Sequence, residues 1–373
     1  MKIIAAHLLN NFTGSPLVLA QSLRALRDAG HEVHVYTSEG PGFLDDLNGI
    51  TAHTHSYRWS ANRYIRLIRF AWAQLRLIFR LFRYRKEEVL IYANTLLPFG
   101  AGLAAWWMKK PTLYHIHETV VPPRSLTQFL LWVAKQAGHQ LVYPSHYLKD
   151  FHSLVHPQQA VVYNALPDTF WEEVRQHQNQ EREFGPLRIL MICSLKRAKG
   201  VFEFIELARR LPELRFELVI SQPMEAIQQF LGQEEFPENL RLFPVQKNVH
   251  PFYTRADVLL SLSHPIDWPE TFGMTILEGF AYGLPAIVPP IGAPLELVEE
   301  GEQGYLLDQR DLDSIVDRLS WLAEHPEEWR RLSQNAQKKA EEFSEAQYGR
   351  QVVEMVESTE ADPVASALPV VHS

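Results

Sequence analysis

Residues 269–285 read PETFGMTILEGFAYGLP, and two glutamates in this stretch, Glu270 and Glu278, are separated by seven residues. A helical pattern starts near Phe272. A helix that starts there leaves four N–H groups without helical acceptors, and together with the helix dipole these favour a bound phosphate. They belong to Phe272, Gly273, Met274 and Thr275, which follow Thr271. Gly273 permits close approach, and the Glu278 carboxylate can accept both hydroxyls of a ribose. The alternative is an ordinary helix with a capping acid and a solvated glutamate.

Around this motif, short Val/Ile/Leu-rich runs alternate with helical-period segments along the chain. Such alternation is typical of buried parallel strands joined by crossover helices. We therefore predict an α/β fold of two Rossmann-like, doubly wound domains facing a central cleft, because ligands of such sheets bind beyond the carboxyl ends of the strands. The predicted strands are 2–9, 32–37, 50–55, 88–93, 112–117, 140–144, 160–164, 187–193, 215–220, 240–245, 257–262, 285–289 and 304–307.

Composition changes suggest where the domains end. We predict an N-terminal domain over 1–168, a polar linker over 169–186 and a C-terminal domain over 187–342. The last apolar helical pattern, 343–357, is expected to pack back on the N-terminal domain, and the tail 358–373 is predicted to be disordered.

The charge is divided unevenly along the 373 residues. The whole chain has 36 basic and 44 acidic residues, a net charge of −8, but residues 1–168 carry 17 and 10, a net charge of +7. The two halves are therefore expected to face different partners. A single cysteine, Cys193, excludes an intramolecular disulfide. The longest nearly uncharged apolar run, 96–108, is too short to span a bilayer, and the N-terminus lacks a signal-peptide pattern, so we expect a cytoplasmic protein.

A basic loop follows the strand that ends near Cys193. It places Lys196, Arg197 and Lys199 within four positions before Gly200. Fixed cations at a helix start are suited to neutralising a diphosphate. Basic surface loops are common, so a solvated loop is the alternative interpretation.

A second loop, 11–15, joins the first strand to an apolar-periodic helix. Gly14 and Ser15 lie in this loop, beyond the carboxyl end of the strand, where a phosphate ligand of such a sheet is expected. The simpler interpretation, which does not exclude the first, makes Ser15 the N-cap before Pro16. The glycine pattern of dinucleotide-binding proteins is absent, so no dinucleotide cofactor is expected.

Two histidines end a strand in the N-terminal half. Alternation places His115 and His117 on one face and Glu118 on the other. Such a pair can bind metal, and a metal-dependent hydrolase is one alternative function. A buried, hydrogen-bonded structural role is the other alternative.

Residues 58–86 contain nine cations and no acid, interleaved with aromatic residues. Five of the arginines fall within one arc of a helix, and apolar residues cover most of the remainder. We predict an interfacial helix on anionic lipid, with a solvated domain helix as the alternative. Nucleic acid is not expected as a partner.

The 269–285 segment resembles the Glu-seven-Glu motif of GT-B glycosyltransferases, in particular the retaining enzymes of family 4. The resemblance continues through GAPLELVEEGEQGYLLD at 292–308. It implies that Glu270 contacts the donor sugar, that 272–275 hold the diphosphate and that Glu278 holds the nucleotide ribose. Lys199 and Gly200 match the family's Lys-Gly pair, whereas Cys193 and Ser194 replace its Gly-Arg pair. We hypothesise that Lys196 or Arg197 supplies the missing cation.

The resemblance also implies that His117 lies beside the donor sugar. We therefore expect a metal-independent, retaining transfer of sugar from a UDP- or GDP-sugar to a glycan or lipid-linked hydroxyl acceptor, in bacterial surface polysaccharide or glycolipid assembly. Neither a cofactor nor a metal is expected, because cations and N–H groups stabilise the departing diphosphate. The alternatives are a GT-B sugar-nucleotide epimerase, the metal hydrolase and a non-catalytic membrane-associated binding protein.

Overall fold

The computed structural model describes residues 1–45, 47–55, 57, 60, 62–177 and 185–361. The chain divides into two compact units: unit 1 comprises residues 1–165 and 345 onward, and unit 2 comprises residues 166–344. Each unit is built on one parallel β-sheet with helices on its faces, which confirms the predicted α/β fold.

A strand forms at each predicted place among the described residues, with ends shifted by a few residues. Unit 1 has the strand order β3-β2-β1-β4-β5-β6-β7, and unit 2 has β10-β9-β8-β11-β12-β13. The strands are β1 Lys2–Ala6, β2 Glu32–Ser38, β3 Thr51–His55, β4 Val89–Asn94, β5 Thr112–His115, β6 Gln140–Tyr143, β7 Gln159–Val161, β8 Arg188–Cys193, β9 Arg215–Ile220, β10 Leu240–Phe243, β11 Val258–Leu260, β12 Ala286–Val288 and β13 Gly304–Leu306.

Helices lie between most successive strands. They are α1 Gly14–Asp28, α2 Arg63–Leu81, α3 Phe99–Met108, α4 Arg124–Ala137, α5 His146–His152, α6 Asp168–His177, α7 Val201–Arg210, α8 Met224–Leu231, α9 His250–Arg255, α10 Met274–Ala281, α11 Leu312–Glu324, α12 Pro326–Ala340 and α13 Glu345–Ala361.

In unit 1 the two faces of the sheet have separate cores. One face packs against α1 and α13, where the Tyr348 hydroxyl lies 2.6 Å from Ser22 Oγ and Arg24 pairs with Glu345. The other face packs against α2, α3 and α4. Helix α13 continues to Ala361, so the predicted disordered tail begins too early; residues 362–373 lie outside the described range.

In unit 2 the core joins strands β8, β9 and β11 to helices α7, α8 and α11. The segment predicted as a linker, 169–186, starts inside α6, and residues 178–184 of it lie outside the described range. Phe170 and Val174, one helical turn apart, give α6 an apolar face, and Phe170 packs on His250 of α9. The start of this segment is therefore part of unit 2.

Among the described helices, none is long and apolar enough to cross a membrane. The predicted basic helix forms as α2 and continues as a 3-10 turn over Phe82–Lys86. Arg58 and Trp59, at the start of the predicted segment, lie outside the described residues.

Candidate functional site

The basic loop of unit 2 is held at the carboxyl ends of two neighbouring strands. After β8, a 3-10 turn over Arg197–Lys199 leads to Gly200, whose φ of +77° is left-handed. A Cβ on Gly200 would lie 2.3 Å from Leu262 Cβ and 2.4 Å from the Leu262 carbonyl oxygen. Leu262 follows β11, so a residue without a side chain brings this loop against the next strand and fixes the position of Lys199.

Lys199 and Glu270 form an ion pair, although 71 positions separate them in the chain. Ser263 completes the cluster: it lies 3.1 Å from both Lys199 Nζ and Glu270 Oε1. Burial raises the pKa of the Glu270 carboxyl, but the charge of Lys199 and the hydrogen bonds from Lys199 and Ser263 outweigh burial and hold the pKa below its ordinary value. Glu270 is therefore a carboxylate, and the structure brings together the two residues that the sequence singled out.

The backbone also holds Glu270 in place. The Glu270 carbonyl accepts the Ala293 N–H at 3.1 Å, and Gly292, with φ +96°, passes beside it. A Cβ on Gly292 would lie 3.2 Å from that carbonyl oxygen. The segment 292–308, which carried the family resemblance, therefore begins by supporting the Glu270 loop.

The two candidate replacements for the missing cation have different surroundings. Lys196 lies over the Trp268 ring at 3.2 Å, and its desolvated ammonium has a lowered pKa, with the charges of Lys199 and Glu270 also acting on it. Arg197 is exposed and its guanidinium lies over Phe202. Lys196 lies close enough to Lys199 and Glu270 for their charges to act on it, so it is the better candidate of the two.

Neither residue at the family's Gly-Arg position supplies a charge. Burial raises the pKa of the Cys193 thiol to about 12, which keeps it neutral. Ser194 is half-buried, and its carbonyl accepts the Lys196 N–H at 2.8 Å. Ser194 thus shapes the turn that presents Lys196.

Helix α10 begins two residues later than predicted. Its N-cap is Gly273, with φ +105°, and its first residue is Met274. The first-turn N–H groups of Gly273, Met274 and Thr275 are the ones that point out of this N-terminus. Phe272 is buried and its ring packs edge-on against Phe343; the predicted contribution of its backbone N–H to a phosphate site stays a prediction. A buried apolar ring there anchors the loop that carries Thr271.

Glu278 lies one turn into α10 and accepts a hydrogen bond from the Tyr253 hydroxyl at 2.6 Å. Burial raises the pKa of Glu278 to about 7, against the lowering effect of that hydrogen bond. Tyr253 stacks on Tyr282, with ring centroids 5.7 Å apart. Sequence reasoning missed Tyr253 because it lies in α9, outside the motifs that the sequence singled out. Its contact with Glu278 is the observation that indicates a role in the site.

In unit 1, Ser15 and His117 are linked through Asn94. The Asn94 amide nitrogen lies 3.0 Å from the Ser15 carbonyl and 3.0 Å from His7 Nδ1, and Asn94 Oδ1 lies 3.0 Å from His117 Nε2. Burial lowers the pKa of His117 well below its ordinary value, and His115 and His7 lower it further. The neutral ring therefore carries its proton on Nε2, because Asn94 Oδ1 can only accept.

The start of helix α1 differs from the prediction. The helix begins at Gly14, and its N-cap is Thr13, not Ser15. Thr13 Oγ1 hydrogen-bonds Asn11 Oδ1 rather than capping the helix. Ser15 is inside the first turn, where its carbonyl meets Asn94.

His115 and His117 share a face, as predicted, with ring centroids 4.2 Å apart. His115 is fully buried, and its Nδ1 lies 2.9 Å from the Tyr92 hydroxyl. Among the described residues, no group of three or more His, Cys, Asp or Glu side chains is placed to hold a metal ion. One Asp-x-Asp pair occurs, but Asp311 caps α11 through Ser314 and Asp313 pairs with Arg210.

Two family models match the chain in succession. The model for glycosyltransferase family 4 covers residues 13–169, and the model for glycosyl transferases group 1 covers residues 173–339. The chain belongs to glycosyltransferase family 4. It is a glycosyltransferase of the GT-B type, which transfers a glycosyl group to an acceptor.

Individual relatives agree with this placement. N-acetyl-alpha-D-glucosaminyl L-malate synthase of Bacillus anthracis is 22% identical over 343 residues, which is 87% of this chain and 88% of that protein. The crystal structure of Anabaena HepE in complex with UDP-glucose superposes with a TM-score of 0.77 and 18% identity, over 96% of this chain and 100% of that one. Sucrose-phosphate synthase from Thermosynechococcus elongatus superposes with a TM-score of 0.76 and 16% identity, over 97% and 99%.

Proposed function

We propose that this glycosyltransferase moves a sugar from a UDP- or GDP-sugar to a hydroxyl acceptor, with retention at the anomeric carbon and without a metal or another cofactor. The observation that carries the proposal is the Lys199–Glu270–Ser263 cluster beside the N-terminus of α10. The cluster combines a fixed cation and a carboxylate with the neighbouring N–H groups of the helix N-terminus. A sugar diphosphate requires the cation and the N–H groups for its phosphates and the carboxylate for its sugar hydroxyls.

The donor diphosphate is assigned to the basic loop and the helix N-terminus. The Lys199 ammonium has three N–H donors, and Glu270 and Ser263 engage two of them. The third is available to a phosphate oxygen. Lys196 and the N–H groups of residues 273–275 add charge and hydrogen bonds where negative charge builds as the diphosphate departs. These groups supply the stabilisation that a metal supplies in other transferases.

The sugar and the ribose are assigned to the two glutamates. Glu270, ionised and held by Lys199, accepts hydroxyls of the donor sugar, and Glu278 accepts those of the ribose. Within unit 1, the Nδ1 lone pair of His117 can accept a hydroxyl, and Asn94 links His117 to the Gly14–Ser15 turn. Retention, and deprotonation of the acceptor by the leaving phosphate, are proposed from the resemblance to the retaining enzymes of family 4.

The acceptor is proposed to be a glycan or lipid-linked hydroxyl on the cytoplasmic face of the membrane, in surface polysaccharide or glycolipid assembly. Its support is helix α2, whose arginines and exposed apolar residues suit an anionic lipid surface.

A test of the donor site compares Lys199→Met and Glu270→Gln with the exposed neighbour Arg197→Gln. A thermal-shift screen with UDP, GDP and ADP first identifies the nucleotide. We expect the first two variants to lose about 100-fold or more in transfer rate, as removal of one transition-state contact does, with an unchanged circular dichroism spectrum. Arg197→Gln should remain within about threefold of the starting protein.

Near-normal turnover of either Lys199→Met or Glu270→Gln would overturn the assignment. Products formed from donor alone separate transfer from epimerisation, because an epimerase converts the nucleotide-sugar with no acceptor present.

A further inference from the structure

Three neighbouring helices of unit 1 form one cationic aromatic face. Helices α2, α3 and α4 lie side by side on the same side of the sheet, and α3 contacts both of the others. Their ranges contain no Asp or Glu, whereas α2 has five arginines and α4 has Arg124 and Lys135. The sequence had pointed to α2 alone; the fold extends the acid-free surface over three helices.

The outer side of this face is rich in exposed apolar side chains. On α2, Ile68 is 69% exposed and Phe79 is 71% exposed. On α3 and α4, the exposed aromatic residues are Trp106, Trp107, Phe129 and Trp132. A soluble surface rarely gathers this many large apolar side chains, so the face is expected to bind something.

The aromatic side chains run continuously from helix to helix. The Trp106 and Trp132 rings are 6.2 Å apart, and Trp132 stacks with Phe129 at 6.3 Å. At the end of α2, Phe82 lies 6.2 Å from Trp107. Arg76, on the same side, lies over the Trp72 ring at 5.3 Å. Cations and tryptophans are therefore interleaved across the face.

We propose that this whole face, and not α2 alone, lies flat on an anionic lipid bilayer, with the Trp106–Trp132–Phe129 ridge entering the headgroup layer. Tryptophan favours that layer because its ring is apolar and its N–H is polar, and arginine binds lipid phosphates. This inference rests on the proposed function in one respect: the acceptor is presented at the membrane.

Other occupants fit this face less well. A second copy would place two surfaces of the same charge against each other, and the face has no acid to compensate. A nucleic acid would use the arginines but would leave Ile68, Phe79 and Trp106 exposed to water.

This orientation determines how far from the lipid surface an acceptor is bound. The helices are about 10–12 Å across, so the carboxyl ends of β1, β4 and β5 stand about one helix diameter above the lipid. His7, Asn94 and His117 lie at those strand ends. An acceptor hydroxyl must therefore project about one helix diameter from the lipid surface to reach them.

The test measures flotation of the full chain with vesicles of phosphatidylcholine, alone or mixed with phosphatidylglycerol. We expect binding to the mixed vesicles at least about tenfold above the neutral ones. Arg83 is exposed in the 3-10 turn that continues α2. Arg76→Gln/Arg83→Gln should reduce the binding by about thirtyfold, since each surface arginine contributes roughly fivefold. Trp106→Gln/Trp132→Gln should reduce it about tenfold, because both rings leave the headgroup layer. Phe236→Gln, an exposed aromatic of unit 2, is the matched control and should bind like the starting protein.

Equal binding to both kinds of vesicle, or unchanged binding of Trp106→Gln/Trp132→Gln, would overturn the proposal. So would a dimer in sedimentation that this double variant dissociates, since the face would then belong to a second copy. Quenching of the unaltered protein's fluorescence by brominated lipid tests the same contact without any variant. The UDP and GDP thermal shift does not involve this face, so loss of lipid binding with an intact shift separates failure here from failure of the proposed donor site.

Discussion

At the scale of single residues, the two glutamates of the site in unit 2 have partners of different charge. Lys199 holds Glu270 ionised despite its burial, whereas Glu278 accepts a hydrogen bond from the neutral Tyr253 hydroxyl. Two glutamates eight positions apart therefore have pKa values moved in opposite directions. This difference suits their proposed roles. Glu270 is a permanent carboxylate beside the diphosphate, whereas Glu278 is a carboxyl that the hydroxyls of the nucleotide must keep ionised.

Glu278 gives the protein a pH-dependent stability. Burial raises its pKa from an ordinary 4.5 to about 7, so between those values the folded state holds a proton that the unfolded state has lost. The contribution is complete below pH 4.5 and is lost as the pH rises through 7. We expect the free energy of unfolding to fall by at most about 3 kcal/mol across this window, and Glu278→Gln to remove that fall. Urea unfolding at several pH values measures it; an identical slope in the variant would contradict the prediction.

At the scale of elements, the site is made by turns that only glycine permits. Gly200 ends the basic loop with a left-handed backbone against Leu262, and Gly273 opens α10 with φ +105°. Both turns follow strands whose carboxyl ends meet at one edge of the sheet. The turns therefore decide where Lys199 and the helix N–H groups point, while the strands decide only that they are near each other.

Gly200→Ala should both destabilise unit 2 and displace Lys199. Its matched control is Gly301→Ala, because Gly301 has almost the same φ, +76°, and a Cβ added there would have nothing within 4 Å. We expect Gly301→Ala to cost about 1–2 kcal/mol, from backbone strain alone. Gly200→Ala should cost about 1–3 kcal/mol more, from the clash with Leu262, and should lose transfer activity. If urea unfolding gives the same loss of free energy of unfolding for both variants, the loop accommodates the added Cβ without a clash.

At the scale of the whole molecule, the chain crosses between its units twice. Unit 1 is completed by the last helix, α13, which comes after all of unit 2. Tyr348, Val352 and Val356 of α13 are buried in the core that α1 shares with the sheet. The N-terminal unit is thus incomplete until the C-terminal end of the chain has been made.

Removing the Tyr348 ring should destabilise unit 1 although it lies near the other end of the sequence. Tyr348→Ala empties a buried site and leaves Ser22 without its 2.6 Å partner, so we expect a loss of about 3–5 kcal/mol. Glu354→Ala, on the exposed side of the same helix, should change stability by less than about 0.5 kcal/mol. Urea unfolding of the full chain compares the two, and similar values would mean that α13 contributes little.

Much of this protein is determined by local sequence. The strands were predictable because continuous apolar runs bury both faces of a parallel strand, and this pattern needs no partner to be recognised. Glu270, Glu278 and Lys199 stood out because a helix N-terminus and a cluster of cations are also local features. Helix ends were less accurate: α10 starts at Met274 rather than Phe272, because its N-cap is Gly273, whose backbone is left-handed with φ +105°.

What the sequence could not determine are the contacts between distant segments. The ion pair of Lys199 with Glu270, the hydroxyl of Tyr253 on Glu278 and the link from Ser15 through Asn94 to His117 each join separate strands or helices. The same holds for the acid-free face, which exists only because α2, α3 and α4 pack on one side of one sheet. Periodicity shows which side of a strand or helix is buried, but strand order decides which residues then meet, and that order arises only when the whole sheet assembles.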